Sequence, residues 1–85
     1  MKQSKTFLTL NQLLVGESAK IIDLNLPQAI KLKLLSYGLA PKDSIQVVAK
    51  TPLRGPISIQ TIQKERIALR YEQAALINVN REIHQ

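Results

Sequence analysis

The chain has no cysteine, a single histidine, and three aromatic residues (Phe7, Tyr37 and Tyr71) among its 85 residues. Each scarcity closes a class of function. Without cysteine there are no disulfides and no thiolate metal sites. Short secreted domains generally depend on such staples, so a cytoplasmic location is the expectation. His84 lies one residue from the last and reads as a solvated tail residue rather than a general base or ligand. The acids Glu17, Asp23, Asp43, Glu65, Glu72 and Glu82 form no pair at helical spacing and no calcium-loop pattern. No metal site and no cofactor are therefore expected. The three glycines stand alone at positions 16, 38 and 55, which excludes a glycine-rich phosphate loop. So few aromatics leave no stacking platform for single-stranded nucleic acid and no aromatic groove for proline peptides. Lys2 and Lys5 are not followed by the apolar core of a signal peptide. No apolar run approaches the roughly 20 residues that span a bilayer. Catalysis is not expected.

The residues that are present are mostly aliphatic. The hydrophobic fraction is 45%, almost all Leu, Ile, Val and Ala, and branched side chains of this kind favour strands. The length fits one domain, residues 1–85, with a core of about 8–79 and a loosely ordered leader and tail. The net charge of +6 admits two readings. It attracts an anionic partner, or it is a solvated surface that keeps a small domain apart from its copies. The basic residues are scattered, with only the spaced pairs Lys31/Lys33 and Lys64/Arg66, whereas a nucleic-acid footprint clusters its charge.

Along the chain, residues 1–8 read as a loose leader or a short edge strand. Thr9 with Gln12 fits a capping box and predicts a helical turn over Leu10–Val15, ended by Gly16. Ser18–Leu24 predicts a strand with Ala19 and Ile21 on one face and Lys20 on the other. Pro27 suits the first position of a helix over about 27–37, on which Leu26, Ile30, Leu34, Leu35 and Tyr37 form an apolar stripe. Gly38 stops that helix, Leu39 supplies the cap's hydrophobic contact, and Pro41 blocks continuation. The period then changes from 3.6 to 2. Ile45, Val47 and Ala49 share one face of a strand, and Thr51–Pro56 is a stiff loop. Ile57–Ile62 alternates again, Gln63–Glu65 makes a hairpin turn, and Ile67 and Leu69 face one way in the next strand. Asp43 falls in a turn, Tyr71–Ala74 forms one helical turn with Glu72 in it, Leu76–Val79 closes the sheet, and Arg81–Gln85 frays. The expected fold is mainly β, a small barrel or partly open roll of about five antiparallel strands with one inserted helix.

Four stretches in order carry a resemblance. They are Leu10-Asn-Gln-Leu13 followed by Gly16; Leu34-Leu35-Ser36-Tyr37-Gly38-Leu39-Ala40-Pro41; Ala49-Lys-Thr-Pro-Leu-Arg-Gly-Pro-Ile57; and Ile67-Ala-Leu-Arg70 with Glu72 and Ala74–Val79. Together they are similar to the FeoA family. The resemblance implies an SH3-like barrel and kinship to the SH3-like C-terminal domains of iron- and manganese-dependent repressors. It also implies a cytosolic partner of the membrane ferrous iron transporter FeoB and a family-level association with transition-metal ions. Lys42 stands where the family often has glycine. Arg54 separates Leu53 from Gly55 where glycine commonly comes directly after the leucine. Lys33 occupies a helix position where arginine is frequent.

Two functions from different classes are open on these grounds. The first is a non-enzymatic accessory or regulatory protein of bacterial ferrous iron uptake that binds the cytosolic part of FeoB, with homo-oligomerisation open. The second, carried by net charge alone, is a basic small barrel that binds nucleic acid. The candidate partner-binding residues are Pro52, Leu53, Arg54, Gly55 and Pro56, a rigid tip whose prolines lower the entropy lost on binding. The same loop also reads as a plain stiff hairpin connection. Gly16, Pro27, Leu34, Gly38, Leu39 and Pro41 are expected to be structural. Ile30, Leu34, Leu35 and Tyr37 could form a partner-facing ridge but are expected to pack into the core as a plug over the barrel's open end; Arg70 is expected to pair with an acid across strands, and Lys20 and Lys31 to be solvated.

Overall fold

The computed structural model describes residues 7–82; the leader up to Thr6 and the tail residue His84 lie outside them. The elements run β1 (Phe7–Thr9), a 3-10 helix (Leu10–Gln12), β2 (Ser18–Leu24), α1 (Gln28–Ser36), β3 (Ser44–Lys50), β4 (Ile57–Thr61), β5 (Arg66–Leu69), α2 (Tyr71–Ala74) and β6 (Ile77–Arg81). The strands form one antiparallel sheet of six in the order β1-β6-β2-β3-β4-β5. Six strands replace the expected five because the Phe7–Thr9 stretch pairs with Asn78–Asn80 and becomes an edge of the sheet.

Alternation builds the core. Ala19, Ile21 and Leu24 of β2, Ile45 and Val47 of β3, Ile57 and Ile59 of β4, Ile67 and Leu69 of β5, and Ile77 and Val79 of β6 all turn inward. Leu10, Leu13, Leu34, Leu39 and Ala74 close the same cluster, and no aromatic side chain is among its fully buried members. Burial of a Leu or Ile side chain contributes about 1.5–3 kcal/mol, so this aliphatic set is the main source of stability.

Two bulges bend the sheet. Ile22 is the extra residue between the Ile21 and Asp23 pairings of β2, and Val48 the extra residue between Val47 and Ala49 of β3. An extra residue reverses the facing of the residues after it. Ala49 is exposed for that reason, against the alternation that places it with Ile45 and Val47.

The end of α1 is a Schellman cap. Gly38 has φ +90°, its N–H donates to the Leu35 carbonyl at 3.0 Å, and the Leu39 N–H reaches back to Leu34 at 3.0 Å. Leu34 and Leu39 are both buried, which is the apolar contact that accompanies such caps. Pro27 sits one place earlier than expected, as the N-cap, with its carbonyl accepting from Ile30 and Lys31 at 3.0 Å. Leu35 and Tyr37, expected in the core, are exposed. Leu35 lies one step, about 100° of rotation, off the Ile30–Leu34 stripe. Tyr37 is the C-cap residue, and the buried place beyond it goes to Leu39.

Other boundaries also move. The 3-10 helix ends at Gln12, not Val15, while the Thr9 N–H donates to Gln12 Oε1 at 3.0 Å as half of a capping box. Gly16 therefore ends no helix; it serves a turn in which the Glu17 N–H donates to the Leu14 carbonyl, with φ +95° at the third position as a type II turn requires. The β4–β5 hairpin loop is Ile62–Lys64, one residue earlier than expected, and Lys64 takes the left-handed position at φ +70°. Arg81 is not frayed: it closes β6 opposite Ala19 and pairs with Glu17 at 3.2 Å. That is the one ion pair among the described residues. Arg70 is instead the exposed N-cap of α2, its N–H donating to Gln73 Oε1 at 3.1 Å.

Candidate functional site

The loop joining β3 to β4 is held at its base and bare at its tip. The Thr51 N–H donates to the Pro56 carbonyl at 3.0 Å, closing the hairpin. Above it, the Gly55 N–H donates to the Pro52 carbonyl at 3.3 Å, so Pro52–Gly55 is a four-residue turn. Its two central residues, Leu53 and Arg54, both have φ +61°. Positive φ at both places is the signature of a type I′ turn, whose twist matches the flanking strands. Asn-Gly is the usual occupant, because a Cβ in the left-handed region costs about 1–2 kcal/mol. Here a leucine and an arginine bear that cost.

The residues around the tip explain how the turn persists. A Cβ on Gly55 would stand 2.6 Å from Thr51 Cγ2, so the loop closes tightly only on a glycine. Pro52 and Pro56 restrict φ on either side and reduce what the unfolded chain can sample. The Arg54 guanidinium carbon lies 5.7 Å from the centre of the Tyr71 ring, a cation–π arrangement that ties the tip to the start of α2. Leu53 is 98% exposed, more than any other large apolar side chain in the described residues. Left-handed strain of this kind gathers at functional positions, which makes the tip a candidate site.

The structure thus brings together all five candidates, Pro52 to Pro56. Tyr71 joins them, and the sequence held no local sign of it, since it lies 17 positions from Arg54 and meets it only through the fold. The turn between α1 and β3 also places a residue other than glycine at positive φ. Asp43 N–H donates to the Ala40 carbonyl at 3.1 Å, Pro41 stands second in the turn, and Lys42 third with φ +78°. The Asp43 carboxylate accepts from the Ala40 N–H at 3.1 Å, bracing the turn from the other side.

A second concavity lies elsewhere. Ile30, Lys33 and Leu34 of α1, with its C-cap Tyr37, face Glu65–Leu69 and Gln73 across a groove of about 350 Å³. Among the described residues no three His, Cys, Asp or Glu side chains gather where they could hold a metal ion. No helix there is long and apolar enough to cross a membrane.

Comparison with known proteins matches residues 8–81 to the FeoA domain family. Among solved structures, the chain is similar to an iron uptake regulatory protein (FeoA), with 26% identity and a TM-score of 0.77 over 91% of this chain and 99% of that one. FeoA from Chlorobium tepidum superposes with a TM-score of 0.84 at 22% identity, over 92% of this chain and 73% of that one. A manganese-dependent transcriptional repressor shares the fold at 20% identity and a TM-score of 0.76, over 94% of this chain and 44% of the repressor. Among curated proteins none matches.

Proposed function

The chain belongs to the FeoA family, and on that premise we propose that it is a non-enzymatic accessory protein of ferrous iron uptake, acting in the cytoplasm on the cytosolic part of a FeoB-type transporter. The family match over residues 8–81 is the observation that carries this reading. The contact is assigned to the Pro52–Pro56 tip. Leu53 offers an apolar side chain on a backbone that has already lost its rotational freedom, so docking it costs less entropy than ordering a flexible loop. Arg54, aligned by Tyr71, supplies a planar donor suited to a carboxylate.

Co-purification from detergent-solubilised bacterial membranes tests this. Tagged wild-type protein is expected to retain the ferrous iron transporter, and the double variant Leu53→Asp/Arg54→Glu to lose it while keeping its circular dichroism spectrum. Retention by both would leave the transport role and move the contact away from the tip. Recovery of salt-sensitive nucleic acid in place of the transporter would sink the transport role itself.

A further inference from the structure

The sheet has two edges, and they are not alike. Among the described residues, β5 pairs with β4 on one side and meets no strand on the other. The groove beside it is lined by Glu65, Arg66, Ile67, Ala68 and Leu69 in unbroken succession. Successive side chains of a strand point to opposite faces. A concavity that touches five in a row therefore runs along the strand's edge, where alternate N–H and C=O groups project. The α1 residues Ile30, Lys33 and Leu34 form the far wall of this groove of about 350 Å³, which leaves a slot along that edge.

The walls specify the occupant. Leu34 is buried and Ile30 half-buried at the base of the slot, and Tyr37 is 46% exposed at its lip. The charged groups at the lip are the exposed Lys33 and Arg66 against Glu65, on a protein of net charge +6. A second copy would bring the same positive excess against itself and is disfavoured on that ground. An extended segment with alternating apolar and acidic residues meets both features: its apolar side chains face Ile30 and Tyr37, and its carboxylates face Lys33 and Arg66.

We propose that β5 and α1 form a docking slot for an extended acidic segment of a partner protein, which adds to the sheet as a seventh strand. Backbone hydrogen bonds to the edge supply affinity, and the alternating side chains supply selection. The inference rests on β5 and α1 alone and is independent of the iron-transport reading.

The probe is a short blocked peptide of alternating valine and glutamate, titrated at low salt into the isotope-labelled full chain. Shifts are expected at the amides of Arg66–Leu69 and Lys33–Tyr37. A peptide N-methylated at every second amide, on the edge that would face β5, should not bind. Reversing both lip charges, Lys33→Glu with Arg66→Glu, should weaken binding about tenfold; both side chains are exposed, and the N-methylated peptide tests the slot without any variant. Absence of shifts on β5 at saturating peptide overturns the proposal. So do shifts confined to Leu53–Gly55, equal binding of the N-methylated peptide, or protection of β5 by self-association in sedimentation.

Discussion

The cap of α1 and the tip of the β3–β4 hairpin pose the same backbone problem and solve it in opposite ways. Each needs positive φ. At the cap, Gly38 meets the need without a Cβ, and the flanking Leu34 and Leu39 are only 4% and 0% exposed. At the tip, Leu53 and Arg54 meet it with full side chains that stand in solvent. Glycine lets the first region bury its neighbours without left-handed strain. The second keeps its side chains on display and accepts the strain. The pairing teaches that backbone conformation and side-chain identity separate here: the cap serves the interior, and the tip leaves Leu53 and Arg54 exposed.

The comparison breaks most sharply at Leu34. Leu34→Ala should lower stability by about 2–5 kcal/mol in chemical denaturation, whereas Leu53→Ala should stay within about 0.5 kcal/mol of wild type. Equal costs at the two leucines would mean that the tip packs on something and is not a free surface. Next comes Gly38→Ala, expected to cost about 1–2 kcal/mol because its φ of +90° leaves a Cβ strained and 3.3 Å from Gln63 Oε1. Thermal unfolding would check it, and an unchanged midpoint would deny the cap its role. Leu53→Gly carries the opposite sign. Relief of the left-handed strain outweighs the added freedom of the unfolded chain, for a gain of about 0.5–1 kcal/mol, read as a higher denaturation midpoint alongside weaker transporter retention. The smallest effect is the coupling of Arg54 to Tyr71. A double-mutant cycle with Arg54→Ala and Tyr71→Ala should return about 0.5–1 kcal/mol, and a value of zero would free the tip from α2.

The two regions also differ in how far they could be read from the chain. The α1 cap was legible because every part of it is local: Leu34, Gly38 and Leu39 lie within six residues, and glycine at that place has one principal use. Strands β2 to β5 were legible from alternation. The bulges at Ile22 and Val48 were not, since nothing in Ile21-Ile22-Asp23 or Val47-Val48-Ala49 marks which residue the partner strand will skip. Strand β1 was legible only as one of two readings of residues 1–8, a short edge strand or a loose leader, because its partner lies some 70 positions on. Tyr37 was misplaced because a helical stripe extrapolates past the point where the helix ends. At the candidate site the prolines and Gly55 announced a stiff loop, but the left-handed turn did not show: Leu-Arg is not the pair that chemistry recommends there. Tyr71 was beyond reach for the same reason as β1.

The pairing of β1 with β6 has a consequence beyond stability. Phe7 lies opposite Asn80, so the polypeptide enters and leaves the sheet at one place, side by side. A fold wired in this way can be spliced into a longer polypeptide as a cassette, with both junctions made at a single point and no spacer to bridge them. A manganese-dependent transcriptional repressor carries the same fold within a longer chain, of which it makes up 44%.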